Sequence, residues 1–110
     1  MIPDTIEKIE KKINGSRTIS DEKKRELLKL VDELKREVLA ASGDDRDGAQ
    51  SVANFANASA HEALREIVDP RMFELARNGL SESVRRFEVT NPGLVSVVNA
   101  LSTVLANMGI

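Results

Sequence analysis

Residues 89–110 read VTNPGLVSVVNALSTVLANMGI, and none of their side chains is charged, in a chain that is 31% Asp, Glu, Lys and Arg. Asn91-Pro92 opens a helix here. The Asn side chain can accept from an orphan N–H of the first turn, and proline at the first helical position gives up only an N–H that has no partner anyway. Leu94, Val97, Val98, Leu101, Val104, Leu105 and Met108 then recur at helical spacing over more than half the circumference, leaving Ser96, Asn99, Thr103 and Asn107 to soften the rest. A helix with no charged strip to turn to water is expected to be buried on most sides, in part by a second copy of the chain. Those seven apolar residues form the expected interface.

Upstream, every apolar period is again helical. Ile2, Ile6, Ile9 and Ile13 share one stripe of a short helix, with Asp4 and Glu7 resembling a capping box and Asn14-Gly15 offering a left-handed stop. Ser20 followed by Asp21 and Glu22 starts a longer helix to about Ala41. Its Leu27, Leu30, Val31, Leu34, Val38 and Ala41 form a face that Leu28 and Leu39 widen enough to meet two neighbours. Residues 42–48, SGDDRDG, read as a polar loop. A third segment, from about Gly48 to Val68, alternates Ala with Ser and Asn, and small side chains of this kind let helices approach closely. Asp69-Pro70 opens a fourth helix, with Met72, Phe73, Ala76, Leu80, Val84 and Phe87 on its stripe and Asn78-Gly79 as a candidate kink. No strand alternation and no internal repeat interrupts the pattern. The expected fold is all-α: a helical bundle of about five helices with a buried C-terminal helix, in one domain over 1–110. Within it a hairpin spans 1–41, a loop 42–48 and the remaining helices 49–110.

Composition removes several functions. At 41% hydrophobic residues the chain is too apolar for a disordered tail. The absence of cysteine removes disulfides, iron–sulfur clusters, thiolate zinc and a thiol nucleophile together. Three Phe are the only aromatics, so base- or sugar-stacking platforms are missing, and a net charge of −2 disfavours a general polyanion binder. Lys8, Lys11, Lys12, Arg17, Lys23, Lys24 and Arg25 do cluster near the start. The acids Glu7, Glu10, Asp21, Glu22 and Glu26 are interleaved with them at pairing distances along a helix, so no nucleic acid partner is expected. No secretory signal opens the chain. Residues 92–110 approach the minimum length of a membrane span, but Asn99 lies at their centre and no aromatic or basic anchor flanks them. Burial in protein is the expectation and membrane association the alternative.

Reactive constellations are few. His61-Glu62 resembles the start of a zinc-protease helix, but Arg65 stands where the second histidine belongs. Asp44, Asp45 and Asp47 before Gly48 suggest a calcium loop. With Gly48 in the sixth position, however, Gly43 replaces the first acid and Asn54 the bidentate glutamate. Asn57-Ala58-Ser59 matches a glycosylation triplet in an alanine-rich helix. Ser81 and Ser83, near Arg85-Arg86, read as a helix start after Gly79 rather than as a modification site.

Two stretches carry a resemblance: Ala49 to Ala63, AQSVANFANASAHEA, and Phe87 to Leu94, FEVTNPGL, closing with Met108-Gly109-Ile110. Together they resemble a family of short bacterial helical proteins catalogued as a domain of unknown function, over essentially the whole chain. The family pattern F-E-x-x-[HN]-P-x-L usually has His before the proline; Asn91 stands there in this chain. The resemblance implies a small cytoplasmic bacterial protein and carries no activity. The functional expectation is a non-catalytic helical scaffold, homo-oligomeric with a dimer favoured or binding another protein, without metal or cofactor. An enzyme using His61, metal-dependent or acting on a small molecule, is the alternative from another class.

Overall fold

Ser20, Asp45, Asp69 and Asn91 each accept a backbone N–H two or three residues ahead at 2.9 to 3.2 Å, and a helix begins after each of them. The computed structural model describes residues 1–109. Its helices are α1 (Ile2–Gly15), α2 (Asp21–Ala41), α3 (Arg46–Ala63), α4 (Pro70–Arg85) and α5 (Pro92–Gly109), with no strand among the described residues. Ile110, the end of the Met-Gly-Ile motif, lies outside them.

Several boundaries differ from the sequence reading. α1 begins at Ile2, so Asp4 is not a cap but a first-turn acid that accepts from the Met1 amino group at 2.6 Å; that contact holds its carboxyl below the usual aspartate range. Gly15 adopts no positive φ. The end of α1 is closed instead by the Ser16 N–H on the Ile13 carbonyl and by the Lys24 ammonium on the Asn14 carbonyl, at 3.3 and 3.2 Å. Because Asp45 is the cap, α3 starts at Arg46 and takes in the end of the expected 42–48 loop. It stops at Ala63, well short of Val68, leaving Ile67 85% exposed. α4 runs unbroken through Asn78-Gly79. Gly79 is a notch rather than a kink: a Cβ there would lie 2.3 Å from the Phe55 ring of α3. Ser81 and Ser83 therefore start nothing, and the Ser83 hydroxyl donates to the Leu80 carbonyl within the helix.

α3 is central, touching each of the other four helices. Around it α1 packs on α2, α2 on α5 and α5 on α4, while α4 and α1 do not meet. Its inward residues are Gly48, Ala49, Val52, Ala53, Ala56, Ser59, Ala60 and Ala63. The bulk comes from the surrounding helices: Ile6, Ile9 and Ile13 of α1, Leu27, Val31 and Leu34 of α2, Phe73 and Leu80 of α4, all essentially inaccessible. The radius of gyration, 12.8 Å, matches the roughly 13 Å of a compact chain of this length. Met72, assigned to the α4 stripe, is 44% exposed, and Phe55 of α3 is 39% exposed.

Leu94, Val98, Leu101 and Leu105 of α5 are sealed by the chain's own core, at 0 to 1% exposure. Val97, Val104 and Met108 are only half-buried at its edge. Among the described residues no helix is long and apolar enough to cross a membrane, α5 included.

The close packing of α3 leaves a fault. The Ser59 hydroxyl is buried without a hydrogen-bond partner. Such an oxygen costs about 1–3 kcal/mol, and alanine is also the better helix former. Ser59→Ala is therefore expected to raise the melting temperature by about 4 °C or more. A variant that melts lower in calorimetry would show that this hydroxyl does find a partner.

Candidate functional site

α3 carries Gln50, Asn54, Asn57 and His61 at steps of four, three and four, a polar stripe along the side that borders α1. α1 answers with Thr5 and Lys12 at the same helical steps. The Gln50 amide donates to the Thr5 hydroxyl at 3.0 Å and to Asn54 at 2.8 Å, and the Lys12 ammonium donates to Asn57 Oδ1 at 2.7 Å. These bonds stitch the two helices together beside the apolar core. Asn57, the head of the glycosylation triplet, is thus occupied within the fold.

Where both helices end, the seam opens into a cleft of about 270 Å³ lined by Lys12, Gly15 to Thr18, and His61 and Leu64 to Glu66. Two helix C-termini meet here, and basic side chains in their last turns complement the negative ends of the helices. Lys12 is partly withdrawn from water; that burial, with the like charge of Lys8, pushes its ammonium below the usual lysine range. Arg65 is paired with Glu62 at 3.1 Å. His61 is exposed and makes no side-chain hydrogen bond among the described residues, and Glu62 is turned to Arg65 rather than toward it. The cleft can bind, since it gathers donors. It presents no hydrogen-bonded pair of nucleophile and base. Among the described residues no group of three His, Asp or Glu side chains is placed to hold a metal ion.

In the acidic segment 44–47, Asp45 serves as a joint. Asp45 Oδ1 caps α3 through the Gly48 N–H at 2.9 Å, while Oδ2 accepts from Arg86 Nε at 2.6 Å, tying the start of α3 to the end of α4. Asp44, Asp45, Arg86 and Asn91 border a second depression of about 380 Å³. The basic cluster near the N-terminus is also internally paired in part, Lys11 with Glu7 and Lys23 with Glu26 at 3.1 and 3.0 Å.

The expected interface residues of α5 separate into two groups. Leu94, Val98, Leu101 and Leu105 are covered within the chain, so a second copy can reach only Val97, Val104 and Met108 together with the exposed Ser96, Asn99, Ala100, Thr103 and Asn107. Sequence reading missed the cleft around His61 because its members come from a loop and two helix ends. The stripe Gln50–Asn54–Asn57–His61, polar along an alanine-rich helix, is the signal that marks that side of α3.

Gly48 should be irreplaceable for a local reason. A Cβ would lie 2.8 Å from the Asp45 carboxyl carbon and 3.0 Å from Arg86 Cδ. Alanine inside a helix normally adds up to ~1 kcal/mol over glycine. Here it displaces the cap and the ion pair, so Gly48→Ala is expected to lose about 1–2 kcal/mol in urea unfolding. A gain would show that Asp45 is not the cap in solution. No protein-family model, curated protein or solved structure matches the chain.

Proposed function

We propose that the chain is a non-catalytic helical scaffold that works by pairing with a second copy of itself through the outer side of α5. The observation that carries this reading is the absence of charge on that side: Ser96, Asn99, Ala100, Thr103 and Asn107 are exposed, small or uncharged. A two-fold contact sets a surface against itself, so any fixed charge near the axis meets its own kind. A neutral face escapes that repulsion. Gly93, Ser96, Ala100, Thr103 and Asn107 follow one another at steps of three and four, which allows a second helix to lie close, and the half-buried Val97, Val104 and Met108 supply apolar area alongside. Pairing is favoured by the contrast with the rest of the surface, where exposed ion pairs such as Arg36–Asp32 and Arg85–Glu82 are common. The bacterial and cytoplasmic setting belongs to the same proposal, on the resemblance of residues 49–63 and 87–94 alone.

Light scattering on the native protein is expected to give twice the 12.1 kDa of one chain. Asp at Ala100 should return the monomer with helicity and melting behaviour kept, because it sets like charges across the axis without entering the core. Leu101→Asp buries an unpaired charge and should cost several kcal/mol, about 3 or more, or abolish soluble expression. A native monomer at high concentration, or a dimer indifferent to Ala100→Asp, overturns the reading.

A further inference from the structure

We infer that the cleft where α1 and α3 end binds a small phosphoryl-type oxyanion, held by Lys12, Arg17 and Arg65 together with the hydroxyls of Ser16 and Thr18. The first support is an unmet charge. Lys12 has only the neutral oxygen of Asn57 as hydrogen-bond partner, and no carboxylate stands within ion-pair distance of it among the described residues. Burial and the nearby Lys8 both disfavour its ammonium form, and the attraction of an anion in the cleft would offset them. The second support is convergence. Arg17 is exposed in the connection between α1 and α2 and makes no ion pair among the described residues, while Arg65 commits one nitrogen, Nη1, to Glu62 and keeps the rest of its fork. The Ser16 and Thr18 hydroxyls, hydrogen-bonded to each other at 3.1 Å, both line the cleft, and one of the two keeps its proton free to donate. Hydroxyls beside guanidinium forks and an ammonium are the donor set that a tetrahedral oxyanion takes.

Opposing charges set the strength. Glu66 lines the cleft, Glu62 is paired with Arg65 beside it, and α1 and α3 both bring their C-terminal, negative ends to it. Such a balance makes for weak binding. The cleft contains no residue of α5, so this site is independent of chain pairing.

Sodium phosphate titrated at fixed ionic strength, with sodium chloride as the matched control, tests the proposal through backbone amide and imidazole nuclear magnetic resonances. Saturable shifts confined to Ser16–Thr18 and His61–Glu66 are expected, absent with chloride. Arg17→Ala, in an exposed connection, should weaken phosphate about tenfold while the melting temperature stays near native, Lys12→Gln should weaken it about as much at some cost in stability because it also loses the ammonium bond to Asn57, and Ala100→Asp should bind as native does. Shifts that never saturate, that spread over the surface, or that survive both Arg17→Ala and Lys12→Gln overturn it.

Discussion

The architecture depends on how closely four helices can approach α3. A helix whose inward side is Ala, with Gly48, Val52 and Ser59 among them, has almost no side-chain layer of its own, so its neighbours' Ile, Leu and Phe reach nearly to its backbone. That explains why a chain of 110 residues can wrap one helix on several sides and still seal Phe73 and a set of Ile, Leu and Val side chains below 2% exposure. It also explains the flaw. A serine that fits sterically where an alanine would fit has no room for a hydrogen-bond partner, and the Ser59 hydroxyl is left alone.

Closeness is managed differently on each side of α3. Toward α4 the contact is apolar, and Gly79 gives up its side chain so that the Phe55 ring can lie on the helix backbone. Toward α1 the contact has a polar margin, because amide side chains at Gln50 and Asn57 reach the Thr5 hydroxyl and the Lys12 ammonium. Polar groups at a helix–helix seam are tolerable only when paired. Most of these are, although Gln50 Oε1 is left without a partner. Since α1 and α4 do not touch, the polar side of α3 stays open to water between them, and the seam can end in a cleft rather than in core. The cleft thus follows from the same small-residue helix that builds the core.

Elements and caps were legible in the sequence because they obey local rules: Ser20, Asp69-Pro70 and Asn91-Pro92 cap the helices they announce. Features that depend on two remote segments were not. Asp45 looks like one acid in a polar run until Arg86, far along the chain, comes to lie against it. Gly79 reads as a breaker until Phe55 arrives to fill its notch, and Asn14-Gly15 reads as a left-handed stop until Lys24 closes the same carbonyls from another helix. The apolar count on α5 was correct as a sign of burial. It overstated what is left for a partner, because periodicity records which side of a helix avoids water and not how much of that side its own chain covers.

How a charge-free helix sits in so charged a chain has an electrostatic answer within the fold. The N-terminus of α5 carries the positive end of the helix dipole, and the helix supplies no acid in its first turn to meet it. Gly93, at the second helical position, leaves the space where a Cβ would stand 2.8 and 2.9 Å from the Glu37 carboxylate oxygens. The complement to the dipole therefore comes from α2, which packs on α5 along its length. An acid on α5 itself, at an exposed position of the first turn, would have served the dipole equally well and placed a charge on its outer surface. By taking the charge from a neighbour, the fold keeps the exposed positions of α5 itself from Gly93 to Asn107 free of charged side chains, so the lack of a side chain at Gly93 connects the internal electrostatics to the uncharged strip that α5 turns to water.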